Sequence, residues 1–336
     1  MDSLTHIVIG ACVGDIIAGK QVGKRAMLYG ALMNSLPDVD FVASFFLDPV
    51  SDLLAHRGFT HSILFAFIAT PVFAAISNRL EKKVDLSYKR WCIFFFVEIL
   101  LHLFIDAFNA YGTGWFEPFS HARISFHTLF VADPLFSIVP LIVFIFLLIK
   151  PMNHPGRRTW VLASLAICTV YLGISIMHKF SVDREVWAIA AKNNIEYKRH
   201  LSTPTPLNNL LWFVALEQDS GYYIGYRSVL DSKSEMDFTW RPRNQQMLDS
   251  IEHEKHLQQL KRFSQGFYTA EKWGDTLVFN DLRYGQVVGW EDANNPFAFY
   301  YFLSHPDDNE LVVQRGRFAG WNAENMKILW RRMKGN

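Results

Sequence analysis

The stretch that decides the fold is residues 98–106, which reads EILLHLFID and lies inside an otherwise apolar run. It places His102 and Asp106 four residues apart, so on a helix their side chains share one face about one turn apart. An imidazole and a carboxylate in this arrangement form half of a metal site. Ionisable side chains in a membrane segment usually face a bundle interior or a water-filled cavity. The stretch therefore predicts a functional site embedded in a membrane.

The composition of the chain narrows the possible partners. Of 336 residues, 50% are hydrophobic and only 19% are charged, and the formal net charge is +1. Since binding to nucleic acid requires a basic stripe, and the sequence has none, we expect no nucleic-acid partner. The three cysteines all lie in apolar runs, so we expect no disulfide framework. They are Cys12, Cys92 and Cys168.

The hydropathy pattern divides the chain near residue 180. Before that point, apolar runs alternate with short polar loops, which predicts an α-helical multi-pass membrane bundle of about six spans over residues 1–179. After it, the composition is that of a soluble domain, and residues 180–336 are predicted to form an α+β domain. The predicted spans are 4–19, 26–47, 62–78, 91–109, 132–149 and 160–178.

Helix and strand patterns can be assigned within the second half. The segments 211–216 and 222–227 flank a short polar turn and predict a β-hairpin. Further segments follow from hydrophobic periodicity. The predicted helices are 181–200, 245–265 and 323–333, and the predicted further strands are 276–279, 285–290 and 298–303.

The charges of the loops predict the orientation of the bundle. The first and third loops together carry eight Lys and Arg residues and the fifth carries three, whereas the second and fourth hold one each, Arg57 and Arg123. By the positive-inside rule, the odd-numbered loops face the cytoplasm. We therefore expect the loops 48–61 and 110–131, and everything after 178, on the opposite side.

Histidine and aspartate recur at this predicted outer face. Each group lies at the outer end of a span or in the loop beside it, so we expect four chain segments to meet there. Such oxygen and nitrogen ligands without cysteine suit a divalent metal, with zinc preferred and manganese or iron as alternatives. The candidate metal-binding residues are His6, Asp38, Asp40, His56, His61, His102 and Asp106.

Five ordered motifs resemble the YdjM-type family. They are LTH at 4–6, PDVD at 37–40, HRGFTHS at 56–62, the His102-x-x-x-Asp106 pair and YGT at 111–113. The resemblance covers about residues 1–150. It implies an inner-membrane, metal-dependent hydrolase of a bacterium, in a family with several members regulated by LexA. The motif order is also distantly similar to that of zinc-dependent phospholipase C.

The resemblance also implies a ligand set. Carried over motif by motif, it consists of His6, either Asp38 or Asp40, His61, His102 and Asp106. Together with the loop charges, it implies a multi-pass protein of the bacterial cytoplasmic (inner) membrane, with the active site and the C-terminal domain on the extracytoplasmic side.

Several roles stay open at the level of sequence. Asp38 and Asp40 either form a helix-ending turn after Pro37 or lie on an extended segment, where alternate positions point opposite ways. In the second case we expect only one of them to bind metal and the other to act as general base. Arg57 either anchors at lipid headgroups or pairs with a phosphate oxygen of the substrate. Asp38, Asp40 and Arg57 are therefore the candidate catalytic residues, and Glu98, one turn from His102, is a candidate partner of the ligands.

Together these expectations describe a membrane-bound hydrolase of an ester or phosphoester that acts through metal-activated water. The location of the site favours an amphiphilic or lipid substrate, and the expected partners are the bilayer and that small molecule. One alternative is a non-catalytic membrane sensor or scaffold with a structural metal, whose C-terminal domain binds a protein that the sequence does not identify. The other is an ion transporter, for which only Asp15 and Asn34 extend the polar path.

Overall fold

The computed structural model describes residues 1–249, 251, 254–303 and 321–335. The chain forms two compact units. The first comprises Met1–Phe46 and Ala55–Ile174, and the second comprises Leu47–Leu54 and Ser175–Asn336. Helices make up the first unit, and all named strands belong to the second. The prediction of a helical N-terminal region followed by a sheet-containing domain is confirmed.

Five helices and the first part of a sixth form the first unit, and the starts of several are explained by side chains that cap them. Asp2 accepts a hydrogen bond from Thr5 N, Ser62 from Phe65 N and Asp133 from Leu135 N, each satisfying an otherwise unpaired backbone donor. The helices are α1 Ser3–Val22, α2 Arg25–Ser35, α4 Ile63–Leu80, α5 Tyr88–Asp106, α6 Pro134–Ile149 and α7 Arg157–Lys192, with α3 Pro49–Ala55 in the segment between α2 and α4.

Glycines let α1 and α2 approach closely. A Cβ atom at Gly10 would clash with the carbonyl oxygen of Gly30, and one at Gly30 would clash with that of Gly10. The close approach brings side chains on the two helices into contact, which positions part of the site described below. Asp15, in the second half of α1, lies beside Arg157, whose Nε is 3.3 Å from Asp15 Oδ2. This buried ion pair ties α1 to the start of α7.

Three helices among the described residues are long and apolar enough to cross a membrane: α1, α4 and α7. The apolar helix α6 is shorter, at 16 residues. The predicted span 26–47 is not one helix, because α2 ends at Ser35 and a 3₁₀ segment occupies Leu36–Phe45. Pro37 lacks the N–H that would continue the α-helical hydrogen-bond ladder, which explains the break. Six spans are therefore not confirmed.

Two antiparallel sheets form the second unit. The first has the strand order β1-β2-β3-β4, and the second the order β5-β6-β7. The predicted hairpin is confirmed by β2 and β3, which pair Phe213 with Tyr226. The strands are β1 Arg199–Pro204, β2 Leu211–Glu217, β3 Gly221–Ser228, β4 Thr239–Pro242, β5 Tyr268–Trp273, β6 Thr276–Gln286 and β7 Phe297–Phe302, and the helices α8 Glu254–Phe263 and α9 Ala323–Met333 accompany them.

Backbone conformations explain where the observed helices and strands differ from the predicted ones. The predicted helix 181–200 ends earlier, as the last part of α7, and Asn194 has a φ of 54°. The predicted strand 285–290 is wrong beyond Gln286, where β6 ends, since Val288 adopts a φ of 51° that no regular strand accommodates. The predicted helix 245–265 contains instead a 3₁₀ turn at Gln245–Leu248 and α8.

Candidate metal centre

Four segments of the first unit bring histidine and aspartate together. Helix α1 supplies His6, the 3₁₀ segment Leu36–Phe45 supplies Asp38 and Asp40, the 3₁₀ turn Phe59–His61 supplies His61, and α5 supplies its last-turn pair. His6, His61 and both members of that pair are fully buried, whereas the side chain of Asp38 is 24% exposed. The site therefore combines one partly exposed carboxylate with four fully buried side chains.

The centre consists of Asp38, His61, His102 and Asp106, which each offer one ligand atom within 4.8 Å of the others. The Nε2 atoms of His61 and His102 are 3.0 Å apart. Asp38 Oδ1 lies 3.5 Å from the first of these nitrogens and 3.6 Å from the second. Asp106 Oδ2 lies 3.6 Å from each. Four potential ligand atoms thus surround one point.

Asp40 and His56 lie beside this cluster and outside it. Asp40 Oδ2 accepts a hydrogen bond of 2.7 Å from the backbone N–H of Arg57 and lies 3.2 Å from His61 Nδ1. Asp40 Oδ1 lies 3.0 Å from His56 Nδ1. The carboxylate of Asp40 therefore contacts the Nδ1 atoms of two imidazoles, whereas that of Asp38 faces the cluster.

His6 reaches the centre through Asp106 and is held in place from deeper in the bundle. Its ring stacks on that of His102 with centroids 3.8 Å apart, and its Nε2 lies 3.1 Å from Asp106 Oδ1. Its Nδ1 lies 3.1 Å from Asn34 Oδ1. The Asn34 amide in turn donates to the carbonyl and the Oε2 of Glu98, at 3.0 Å each.

The Asn34 contacts define the orientation of His6. Because the Asn34 amide nitrogen donates to Glu98, its oxygen is the acceptor that faces His6 Nδ1. His6 Nδ1 is therefore the donor to Asn34, and a hydrogen bond from Nε2 to Asp106 Oδ1 requires a second proton on the ring. The sequence pattern indicates Glu98 as a partner of the candidate ligands, but Asn34 only as part of an ion path.

Arg57 lies inside the site and is 3% exposed. Its Nε is 3.1 Å from Asp106 Oδ2, and its NH1 group donates to Asn109 Oδ1 at 2.9 Å. The backbone of Arg57 has a φ of 58°, in the left-handed region that favours glycine. Two further groups of the site were not predicted from the sequence: Asn109, which follows Asp106 by three residues, and the Met1 amino nitrogen, which contacts Asp106 Oδ1. The spacing of Asn109 from Asp106 was a signal that could have identified it.

Asp38 and Asp40 lie outside the three candidate membrane spans, and neighbouring groups stabilise the ionised form of both carboxyl groups. Burial raises the pKa of Asp40, but its contacts with His56 and His61 outweigh burial and hold this pKa well below the usual range. The same balance, with His61, His102 and Arg57, lowers the pKa of Asp38. Burial lowers the pKa of His56, against the opposing effect of Asp40. At neutral pH, the site therefore presents ionised carboxylates beside neutral imidazole.

The donor set fits a divalent ion. Because His61 Nδ1 faces the Asp40 carboxylate, its proton lies there and the Nε2 lone pair points into the cluster. Within the part of the chain that the structure describes, the buried His102 Nδ1 has no hydrogen-bond partner, and Asp106 Oδ2 has the ion pair with Arg57 Nε but no hydrogen bond. Buried polar atoms of this kind call for a partner such as an ion or a water molecule. Two imidazoles and two carboxylates are ligands that zinc, manganese and iron accept.

These features define a class: a protein with apolar, membrane-type helices around a buried histidine–aspartate cluster. The family described as "YdjM inner membrane protein" matches residues 1–182, more than half of the chain. The chain therefore belongs to the YdjM inner membrane protein family. The match ends close to the start of the sheet-containing region, which begins with β1 at Arg199.

Two named relatives support this assignment. The inner membrane protein YbcI of Escherichia coli K12 is 30% identical over 122 residues, which span 36% of this chain and 69% of that protein. The uncharacterized protein YfhP of Bacillus subtilis 168 is 32% identical over 142 residues, 40% of this chain and 42% of that protein. No solved structure gives a significant match, and the similarity to zinc-dependent phospholipase C stays a prediction.

Proposed function

We propose that this chain is a membrane-bound, metal-dependent hydrolase of ester or phosphoester bonds. The observation that carries the proposal is the cluster of four potential ligand atoms within 4.8 Å of one another. Asp38, His61, His102 and Asp106 would hold the divalent ion, with zinc preferred over manganese and iron. Such an ion, when bound, lowers the pKa of a water molecule and polarises the oxygen of the bond to be cleaved.

The surrounding residues have separate tasks in this proposal. Asp40 is surrounded by Arg57 N, His56 and His61, so it suits orientation of the two imidazoles better than proton transfer. His6 and Asn34 fix Asp106 from the opposite side. Arg57 places a permanent positive charge beside Asp106, where it would also attract a phosphate oxygen of the substrate.

The substrate is proposed to be an amphiphile, such as a phospholipid or another lipid ester. The 3₁₀ segment that carries Asp38 also carries Phe41 and Phe45, and Phe46 follows it directly; these side chains are 60%, 74% and 83% exposed. An apolar surface next to a hydrolytic centre suits the acyl chains of a lipid. The two relatives' names give no substrate, so this part of the proposal depends on the exposed aromatic side chains and on the membrane-type helices.

Metal analysis combined with hydrolysis assays tests the proposal. Purified wild type should contain a divalent metal and cleave members of a panel of lipid esters and phosphoesters. Asp106→Asn keeps the side-chain volume but removes a ligand charge, so it should lose metal and turnover, as should His102→Ala. Asp85→Asn, at an exposed position between α4 and α5, is the matched control and should behave as wild type. A metal-free wild type would exclude the hydrolase, and a metal-loaded but inert one would favour the scaffold.

The amphiphile is tested with substrates that differ only in chain length. The double substitution Phe41→Ala and Phe45→Ala should lower kcat/KM for a long-chain ester in mixed micelles roughly tenfold, equivalent to about 1.4 kcal/mol, while sparing a short-chain soluble ester. Phe180→Ala is the control, because Phe180 is similarly exposed on α7. Equal losses with both chain lengths would contradict a lipid-binding role for this surface.

A further inference from the structure

The segment 47–54 connects two groups of site residues but belongs to the other unit. Asp38 and Asp40 precede it, and His56 and Arg57 follow it after Ala55. The residues on both sides of this segment cluster with the first unit, whereas Leu47–Leu54 clusters with the second. Two short covalent connections therefore join the second unit to the motifs that build the metal centre.

Helix α8 holds this segment. Gln259 Nε2 donates a hydrogen bond of 3.2 Å to Ser51 Oγ, and His256 Nε2 lies 3.4 Å from Asp48 Oδ1. Val50 and Leu53, on the same short helix α3, are buried. Asp48 also accepts hydrogen bonds from the backbone N–H groups of residues 50 and 51, which fixes the start of α3. The segment is thus packed and hydrogen-bonded rather than a free loop.

The connection from α3 to the site is short and constrained. Only Ala55 separates Leu54 from His56, and a residue spans at most about 3.6 Å of chain. The following turn is closed by a hydrogen bond of 2.9 Å from Gly58 N to Ala55 O. A displacement of α3 would therefore be transmitted to His56 and to the backbone N–H of Arg57. Both groups contact Asp40.

We propose that Gln259 and Ser51 are positioning residues of the metal centre. Through their hydrogen bond, α8 fixes α3, and α3 fixes the network in which Asp40 holds His56 and His61. The inference rests on the metal centre described under Proposed function but not on hydrolysis. It gives the C-terminal unit, whose sheets lie beyond the family match at residues 1–182, a task in organising the N-terminal site.

The test uses the full-length protein and two readouts. Gln259→Ala should weaken binding of Co²⁺, measured by chelator competition, about threefold to tenfold, and should alter the visible absorption of the bound cobalt, which reports ligand geometry. It should also accelerate backbone hydrogen exchange in 36–46 and 55–62. Gln259→Glu keeps an acceptor for the Ser51 hydroxyl and should restore both readouts. Gln258→Ala, at the exposed neighbouring position, is the matched control.

A merely structural role would give a different pattern. If Gln259→Ala alters exchange only within the second unit, and leaves Co²⁺ affinity, its spectrum and exchange in 36–46 and 55–62 unchanged, the inference is wrong. Ser51→Ala removes the same hydrogen bond from the other side and decides the question if the first variant unfolds. If wild type binds no metal, the proposed function fails, and the exchange measurement still decides whether α8 positions these segments.

Discussion

His61 Nδ1 lies 3.2 Å from Asp40 Oδ2, so a buried carboxylate stands behind an imidazole whose Nε2 faces the candidate metal centre. This relationship separates the two carboxylates of the Pro-Asp-Val-Asp motif. Asp38 contributes an oxygen to the cluster, and Asp40 contacts the ring of His61, a neighbouring candidate ligand. A carboxylate in the second position fixes the tautomer and the orientation of the imidazole.

We expect the two carboxylates to respond differently to substitution. Asp38→Ala should abolish stoichiometric zinc binding, whereas Asp40→Ala should retain binding that is about 10–100-fold weaker, because the ligand His61 remains but loses its support. Competition with a chromophoric chelator measures both affinities, with Asp85→Asn as the control. Equal loss in both variants would indicate that Asp40 is itself a ligand.

The left-handed backbone of Arg57 gives a second prediction. With a φ of 58°, Arg57 occupies a conformation that glycine adopts without steric penalty. Arg57→Ala and Arg57→Gly both remove the guanidinium and should lower phosphoester hydrolysis alike. Arg57→Gly should nevertheless be more stable than Arg57→Ala, by about 1 kcal/mol, as a higher melting temperature of the purified protein.

Arg123 serves as the control for that comparison. It lies near Arg57, as its NH2 group donates to the carbonyl of His56, but it is not among the residues with positive φ. Arg123→Gly should therefore be less stable than Arg123→Ala. The same order of stabilities at both positions would mean that backbone strain at Arg57 is not the cause.

Local spacing predicted much of the candidate site from sequence. The His102–Asp106 pair is one helical turn apart on α5, and hydropathy with loop charges predicted that His6 and His61 lie at the same end of the bundle. The role of Asp40 could not be read in this way. The sequence leaves residues 37–40 open to a helix-ending turn or an extended segment. The structure has a 3₁₀ helix there, with three residues per turn, so Asp38 and Asp40 lie about 120° apart around its axis rather than on opposite sides.

Features that depend on long-range packing were beyond the sequence. The close approach of α1 and α2 at Gly10 and Gly30 places Asn34 against His6, and no periodicity reveals such a pair. The assignment of 47–54 to the second unit likewise depends on contacts with α8, about 200 residues away in the chain. The hairpin of β2 and β3 was predictable because alternation and a polar turn are local signals.

The C-terminal unit should lose stability in acid through Glu217. Burial raises the pKa of Glu217, but hydrogen bonds from Arg199 and Arg243 outweigh it, so the folded-state pKa lies below the usual value. The unfolded chain therefore binds the proton more readily. This stabilisation is present above about pH 4.3 and is lost as the pH falls through the folded-state pKa.

Chemical denaturation followed by tryptophan fluorescence checks this prediction. Between pH 6 and pH 3, wild type should lose more stability than Glu217→Gln, which has no carboxylate to protonate at this position. Asp219→Asn, in the exposed turn after β2, is a control that should follow wild type. If Glu217→Gln and wild type lose stability in parallel, the two arginines contribute nothing pH-dependent through this carboxylate.

The last prediction concerns the side of the membrane on which the C-terminal unit lies. The positive-inside rule assigns the loops after the first and third apolar runs to the cytoplasm, because they carry eight of the Lys and Arg residues, against one each in the second and fourth. A phosphatase reporter that is active only outside the cytoplasm should therefore be active when fused after residue 335. The same reporter fused after Ser87, in the loop between α4 and α5, should be inactive. Fluorescent-protein fusions at the two positions should give the opposite pattern, since that reporter folds in the cytoplasm. Activity of the phosphatase at Ser87 together with inactivity at 335 would indicate the opposite orientation of the protein in the membrane. It would also move the C-terminal unit to the cytoplasm.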